Sequence, residues 1–230
     1  MKWIFWLLSS LCFTSAMAGE SSTYDFSWLD KDKAVYVLQN RTFRKSGTVY
    51  VGGTFGMTTS GTFTDATVMQ GRAGYFFKEE WGIEFIFSKN SGKTNETFDN
   101  VQEAGADVFY RKVNSYSGGM LLWSPFYAKI NTFDQIIYFD WFFGLGYANV
   151  NSTDNRSDFI VPTVSNVTTS TSGILLASGI RAYINESWSL RIDLTNLRYN
   201  DDYLIPQATV AARKELFSNT DFTIGLNYAF

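Results

Sequence analysis

The chain ends on a stretch in which Phe222, Ile224, Leu226, Tyr228 and Phe230 alternate with Thr223, Gly225, Asn227 and Ala229. Successive side chains of a strand point to opposite faces, so this segment has one apolar face and one small or polar face. Two architectures accommodate such a strand. In a soluble secreted sandwich the apolar face turns inward to a core. In a transmembrane barrel it turns outward to lipid, and the polar face lines a lumen.

The start of the chain bears on that choice. Lys2, the apolar run Trp3–Phe13 and the small-x-small pattern Ala16-Met17-Ala18 read as a secretory signal peptide cleaved after Ala18. The only cysteine, Cys12, lies within it. A mature chain from Gly19 therefore has no disulfide or thiolate chemistry. No later segment has the ~20 consecutive apolar residues of a spanning helix. The longest apolar run, Ile136–Phe143, carries Asp140 in its middle. Aromatic residues nevertheless make up 18% of the chain while mean hydropathy is only −0.10. Strands that average a lipid face against a polar lumen produce this combination. The net charge of −3 and the lack of a basic patch argue against nucleic acid as a partner.

Period-two alternation predicts eight strands. They are Thr48–Thr58, Asp65–Phe77, Trp81–Lys89, Asn114–Ser124, Gln135–Val150, Ser172–Ile184, Trp188–Tyr199 and Asp221–Phe230. The fourth is expected to stop at Pro125, which cannot donate to a ladder. Ala106–Val113 could extend the strands beside it. Short turns fall at Lys78-Glu79-Glu80 and Asn185-Glu186-Ser187. Long polar connections fall at Asn90–Gly105, Asn151–Ser170 and Asn200–Asn219, the last with a possible helical turn over Ala211–Leu216. Gly19–Gly47 reads as a periplasmic lead-in, and residues 48–230 as the barrel.

Both short turns carry an aromatic before them and a tryptophan after: Phe77 then Trp81, and Tyr183 then Trp188. Each tryptophan shares the face of the apolar residues that follow it, as an aromatic girdle at a membrane boundary requires. The terminal strand resembles the assembly signal of bacterial outer-membrane β-barrels, with Thr223, Gly225, Tyr228 and Phe230 in its four positions. Val35-Tyr36-Val37-Leu38, Pro125-Phe126-Tyr127, Phe139-Asp140, Gly144-x-Gly146, Gly179-x-Arg181 and Leu190-x-x-Asp193 extend the likeness. The chain is similar to the small eight-stranded outer-membrane barrels, nearest to single-domain members from predatory and gliding bacteria. The resemblance implies an all-β, eight-stranded antiparallel up-and-down transmembrane barrel in the outer membrane. It also implies partners in outer-membrane lipid and, during insertion, the barrel-assembly machinery. It implies no defined activity.

The chain has no histidine. That removes Ser–His and Cys–His catalysis, imidazole ligation of metal and the ordinary proton shuttle near neutral pH. No enzyme activity, cofactor or metal is expected. Loop carboxylates such as Asp154, Asp201 and Asp202 read as solvated charge. The alternation turns Arg72, Glu84, Asp140, Arg181, Arg191 and Asp193 into a lumen barely wide enough for its own side chains. There they must pair, since a desolvated lone charge costs several kcal/mol. Arg181 with Asp193, Arg191 beside them, and Arg72 with Glu84 are the expected pairs. They would form a rigid plug or, alternatively, a gate on a narrow polar passage. The favoured role is an envelope protein whose long loops meet an extracellular ligand or partner protein. A channel is the second reading and a lipid-modifying enzyme the third.

Overall fold

A computed structural model describes residues 41–106, 108–132, 135–155, 168–203 and 213–230. The chain divides into two units, Met1–Thr42 and Phe43–Phe230. Of the first, only Arg41 and Thr42 are described, as irregular backbone. The expected signal peptide and most of the expected lead-in lie outside the described residues.

The second unit contains eight strands: β1 (Val49–Thr58), β2 (Thr64–Phe76), β3 (Trp81–Thr94), β4 (Arg111–Thr132), β5 (Gln135–Asp154), β6 (Thr168–Tyr183), β7 (Trp188–Tyr203) and β8 (Arg213–Ala229). Each pairs antiparallel with its sequence neighbour, and β8 pairs with β1 to close the ring. The rungs lead from Val49 through Tyr75, Ile83, Leu121, Leu145, Leu176 and Asn196 to Thr220. The carbonyl of Thr220 accepts from the amide of Thr59, so one circuit advances β1 by ten residues, from 49 to 59. A stagger of that size in eight strands inclines them by roughly 40° to the barrel axis.

Alternation decides the faces. Val49, Val51, Phe55, Met69, Ile83, Phe85, Phe87, Leu145, Phe222, Ile224 and Leu226 are exposed on the outside. Tyr50, Thr54, Gln70, Arg72, Glu84, Thr223 and Asn227 are buried inside. From Phe222 to Phe230 the outward band spans nine residues, about 20 Å of height at ~3.3 Å per step and this inclination. That is close to the apolar belt of an outer-membrane barrel.

The ladders outrun the alternation. Strands β3, β5, β6, β7 and β8 all reach further toward the long-loop rim than the apolar pattern predicts. Asn200, Asp201 and Asp202 pair with Leu216, Glu215 and Lys214, where a long connection was expected. Arg213–Leu216 therefore lie in β8 and not in a helical turn; Ala211 and Ala212 fall outside the described residues. The expected Asn90–Gly105 loop instead holds the end of β3 and a helix, α1 (Glu96–Glu103). Asn95 caps α1 by accepting from the amide of Phe98 at 3.1 Å. Above the belt the outer face of a strand meets water in place of lipid, so the backbone pairing persists while the hydrophobic signal fades.

The second correction is at the other rim. β4 does not stop at Pro125 but runs through it to Thr132, with a register shift between Trp123 and Phe126. β3 ends opposite Trp123, so beyond this point β4 pairs, among the described residues, with β5 alone. Pro125 sits within the register shift, where the ladder to β5 is already interrupted and its missing N–H breaks no regular rung. Residues 126–132, expected between the fourth and fifth strands, thus belong to β4, and Thr132 pairs with Gln135.

Candidate functional site

The lumen is divided lengthwise. Residues from β4 to β7 form an apolar wall that includes Met120, Leu122, Phe142, Leu175, Ala177 and Leu197. The polar side chains come chiefly from β1, β2, β3, β7 and β8. All six charges assigned inward by alternation lie in the lumen and are buried.

Glu84 is the hub. Its carboxylate accepts from Arg72 Nη1 at 2.7 Å and from Arg191 Nη2 at 3.0 Å. It also accepts from Arg191 Nη1 and the Tyr50 hydroxyl. Arg191 Nε lies 2.8 Å from Asp193 Oδ1, and Arg72 Nη2 lies 3.6 Å from Asp193 Oδ2. Two guanidinium groups and two carboxylates thus balance in a space with no water-exposed side chain. Arg72 further donates to Gln70 at 2.6 Å and Thr195 at 3.1 Å. Two glycines make room for the cluster. A Cβ on Gly74 would come within 2.5 Å of the Tyr50 ring, and one on Gly179 within 2.6 Å of Asp193 Oδ1.

The expected Arg181–Asp193 pair is replaced. Asp193 turns to Arg191 and Arg72, whereas the Arg181 guanidinium stacks over Tyr50, Phe76 and Phe142 at 4.6, 5.0 and 5.8 Å. Residues 191 and 193 lie on one strand face two positions apart, so they meet without crossing the lumen. Arg181 is long enough to cross it and finds aromatic faces there. Asp140, its partner across the rung, is bound by Lys45 Nζ at 2.8 Å and by the Tyr183 hydroxyl at 2.5 Å.

Lys45 belongs to a short strap that closes the short-turn mouth. It donates to Ser124 Oγ at 2.9 Å and lies over Phe76. The amides of Lys45 and Ser46 both donate to the Glu79 carboxylate at 3.1 Å. Phe43 stacks on Tyr183 with ring centroids 5.0 Å apart. Sequence periodicity missed Lys45 because it precedes the first strand; its place in a basic run just before Val49 was the available signal.

Above Glu84 a second polar group gathers around Asp221. Asp221 accepts from Thr58 at 2.7 Å, Asn219 at 2.8 Å and Tyr116 at 2.9 Å. Gln70 donates to Tyr116 at 2.9 Å, which joins this group to the Glu84 cluster through Arg72. Asp221 has the same parity as Thr223, Gly225 and Asn227, and that was its sequence signal. At the long-loop rim, Arg111 bonds Asp201 at 2.5 Å and Asp154 at 3.1 Å, and its guanidinium lies over Phe217. Asp154 and Asp201, read from sequence as solvated loop charges, are buried at strand ends. The extended ladders carry them there.

The aromatic and terminal residues take definite positions. Trp81 stacks on Trp123, which meets Phe143, and Trp188 meets Tyr228, all outward near the short-turn rim. Thr223 and Gly225 face the lumen, Tyr228 and Phe230 face out, and the Phe230 amide donates to the Val49 carbonyl at 2.9 Å. Among the described residues no group of three or more acidic or cysteine side chains is placed to hold a metal ion.

A closed eight-stranded ring with an apolar outer belt, an aromatic rim and charges confined to its interior is a transmembrane β-barrel. A family model for the outer membrane protein β-barrel domain matches residues 34–230. The chain belongs to that family and is an integral protein of the outer membrane. No curated protein matches it in sequence. Among solved structures, Neisserial surface protein A matches at 9% identity and a TM-score of 0.48, over 80% of this chain and 96% of that one. OprG of Pseudomonas aeruginosa matches at 16% and 0.44, over 82% and 98%. Ail, the attachment invasion locus protein of Yersinia pestis, matches at 9% and 0.38, over 80% and 99%.

Proposed function

We propose that the chain, cleaved after Ala18, is a non-enzymatic surface protein: a filled barrel that presents long connections to an extracellular ligand or partner. The supporting observation is the lumen. Glu84, Arg72, Arg191 and Asp193 are bonded to one another, Arg181 is stacked on aromatic rings, apolar side chains line the opposite wall, and bonded groups lie at both mouths, Lys45 with Asp140 and Arg111 with Asp154 and Asp201. Short turns lie at the strap end and long connections at the other, the arrangement of periplasmic turns and outer loops. The strands rise past the belt at the end where connections 95–110, 156–167 and 204–212 join them.

Photo-crosslinkers placed in connections 95–110 and 156–167 on intact cells test this reading. A discrete crosslinked partner from these positions, and none from Leu145 in the belt, is the expected result. Loop positions that capture nothing, together with solute flux through liposomes, would move the function into the lumen. One observation favours that rival: the bonded polar chain from Tyr50 through Glu84, Arg72, Gln70 and Tyr116 to Asp221 runs lengthwise up one side of the barrel.

A further inference from the structure

The β4–β5 hairpin is longer than the rest of the barrel at the periplasmic rim, and its outer face is apolar. Below the Trp81–Trp123 rung, β4 continues with Phe126, Ala128 and Ile130 outward, paired with Trp141, Phe139 and Ile137 of β5. Phe126, Ile130 and Ile137 are 57%, 51% and 41% exposed, the values of belt residues such as Leu145 and Ile224. On the opposite face Tyr127 and Tyr138 stack on each other and Phe43 packs edge-on against Tyr138, while Lys129 and Ile136 toward the tip are exposed.

The outer face is continuous with the lipid belt. Trp123, Phe143, Trp141 and Phe126 form an unbroken ring-to-ring series with centroids 6.0, 5.6 and 6.5 Å apart, which leads from the girdle onto the hairpin. Allowing for the climb of the register, Ile130 and Ile137 lie roughly 5–8 Å below Phe77, Ile184, Trp188 and Phe230. The headgroup zone adds about 5–7 Å to each side of the hydrocarbon. The two depths match.

Backbone chemistry selects the same zone. Residues 125–132 of β4 and 135–137 of β5 each have one sheet edge with no strand partner among the described residues. An open edge is excluded from hydrocarbon, where its amides and carbonyls would go unsatisfied. In the headgroup layer water reaches the edge, while aromatic and aliphatic side chains still find apolar contact.

We infer that the β4–β5 hairpin is a membrane-seating element whose outer face, Phe126, Phe139, Ile130 and Ile137, lies in the headgroup zone of the periplasmic leaflet. Its occupant is phospholipid. The hairpin fixes the depth of the barrel on one side and holds the Phe43–Ser46 strap at the membrane surface.

Spin labels on single cysteines test this, since the mature chain has no cysteine of its own. Ile130→Cys and Ile137→Cys are read beside Ile224→Cys in the belt and Ser187→Cys on a periplasmic turn. All are refolded into phosphatidylethanolamine–phosphatidylglycerol vesicles and checked for heat-modifiable gel mobility. The ratio of collisions with oxygen, which partitions into lipid, to collisions with a water-soluble nickel chelate is measured. Ratios at 130 and 137 severalfold above that at 187 and approaching that at 224 are expected. Ratios equal to that at 187 would place the hairpin in free periplasm and overturn the inference. Low collision rates with both reagents would mean that protein covers the face, a second copy or another segment of this chain, and would overturn it too.

Discussion

The barrel holds two buried ion clusters, and they are built differently. Glu84 lies at belt height with Arg72, Arg191 and Asp193, each fully enclosed, and its partners come from three strands, β1, β2 and β7. Arg111 lies at the outer rim between Asp154 and Asp201, one strand end from water. In the first, charge balances and no group can recover hydration if its partner is lost. In the second, Arg111 bonds two carboxylates at strand ends and solvent is close. The Glu84 cluster therefore acts on the whole barrel, the Arg111 cluster on the strand ends and the loops they carry.

Removing Glu84 should have the largest effect. Glu84→Ala strands two guanidinium groups in a sealed space, and breaking a buried pair in this way costs about 3–5 kcal/mol. Urea titration followed by heat-modifiable gel mobility should show a large drop in midpoint or no folded band. Midpoints for Glu84→Ala and Arg111→Ala that coincide would erase the distinction between the clusters. Arg111→Ala should cost less, about 1–3 kcal/mol, the scale of unsatisfied buried acceptors. It should also speed proteolysis within 95–110 and 156–167 at unchanged barrel content. Gly74→Val sharpens the comparison without touching a charge. Its side chain displaces the Tyr50 ring from Glu84, so it should destabilise by about 1–3 kcal/mol, the range of overpacking, and the effect should largely vanish in Tyr50→Ala. Smallest is Lys45→Ala, about 1 kcal/mol, because Asp140 keeps the Tyr183 hydroxyl and faces a mouth that water can enter.

The same contrast explains what could be read in advance. Phe222 through Phe230, Trp81 through Phe87 and Ile137 through Tyr147 announce their strands because lipid demands apolar side chains at every second position. The six lumen charges follow from the parity of those runs. Partner choice followed for Arg72 and Glu84, which meet across a short turn, but not for Arg181 and Asp193, since parity gives a face but not a reach: Arg181 crosses to three aromatic rings while Arg191 bends to Asp193, its neighbour on the same strand. Asp201 and Asp154 were hidden because the ladder carries them above the belt, where alternation no longer marks a strand. Pro125 misled for a related reason. Its missing donor ends a strand only where there is a regular rung to lose, and it falls in a register shift of the β4–β5 ladder. Lys45 precedes every strand, so no periodicity reached it.

Conductance of the refolded mature protein across a planar bilayer tests the central claim, that the lumen is occupied and not a passage. With insertion confirmed by heat-modifiable mobility, the wild type should leave the bilayer silent, and Lys45→Ala, which opens one mouth only, should leave it silent as well. Reproducible unitary openings of the wild type, altered by Asp193→Ala, would contradict the account and make the polar chain from Tyr50 to Asp221 a conduction path.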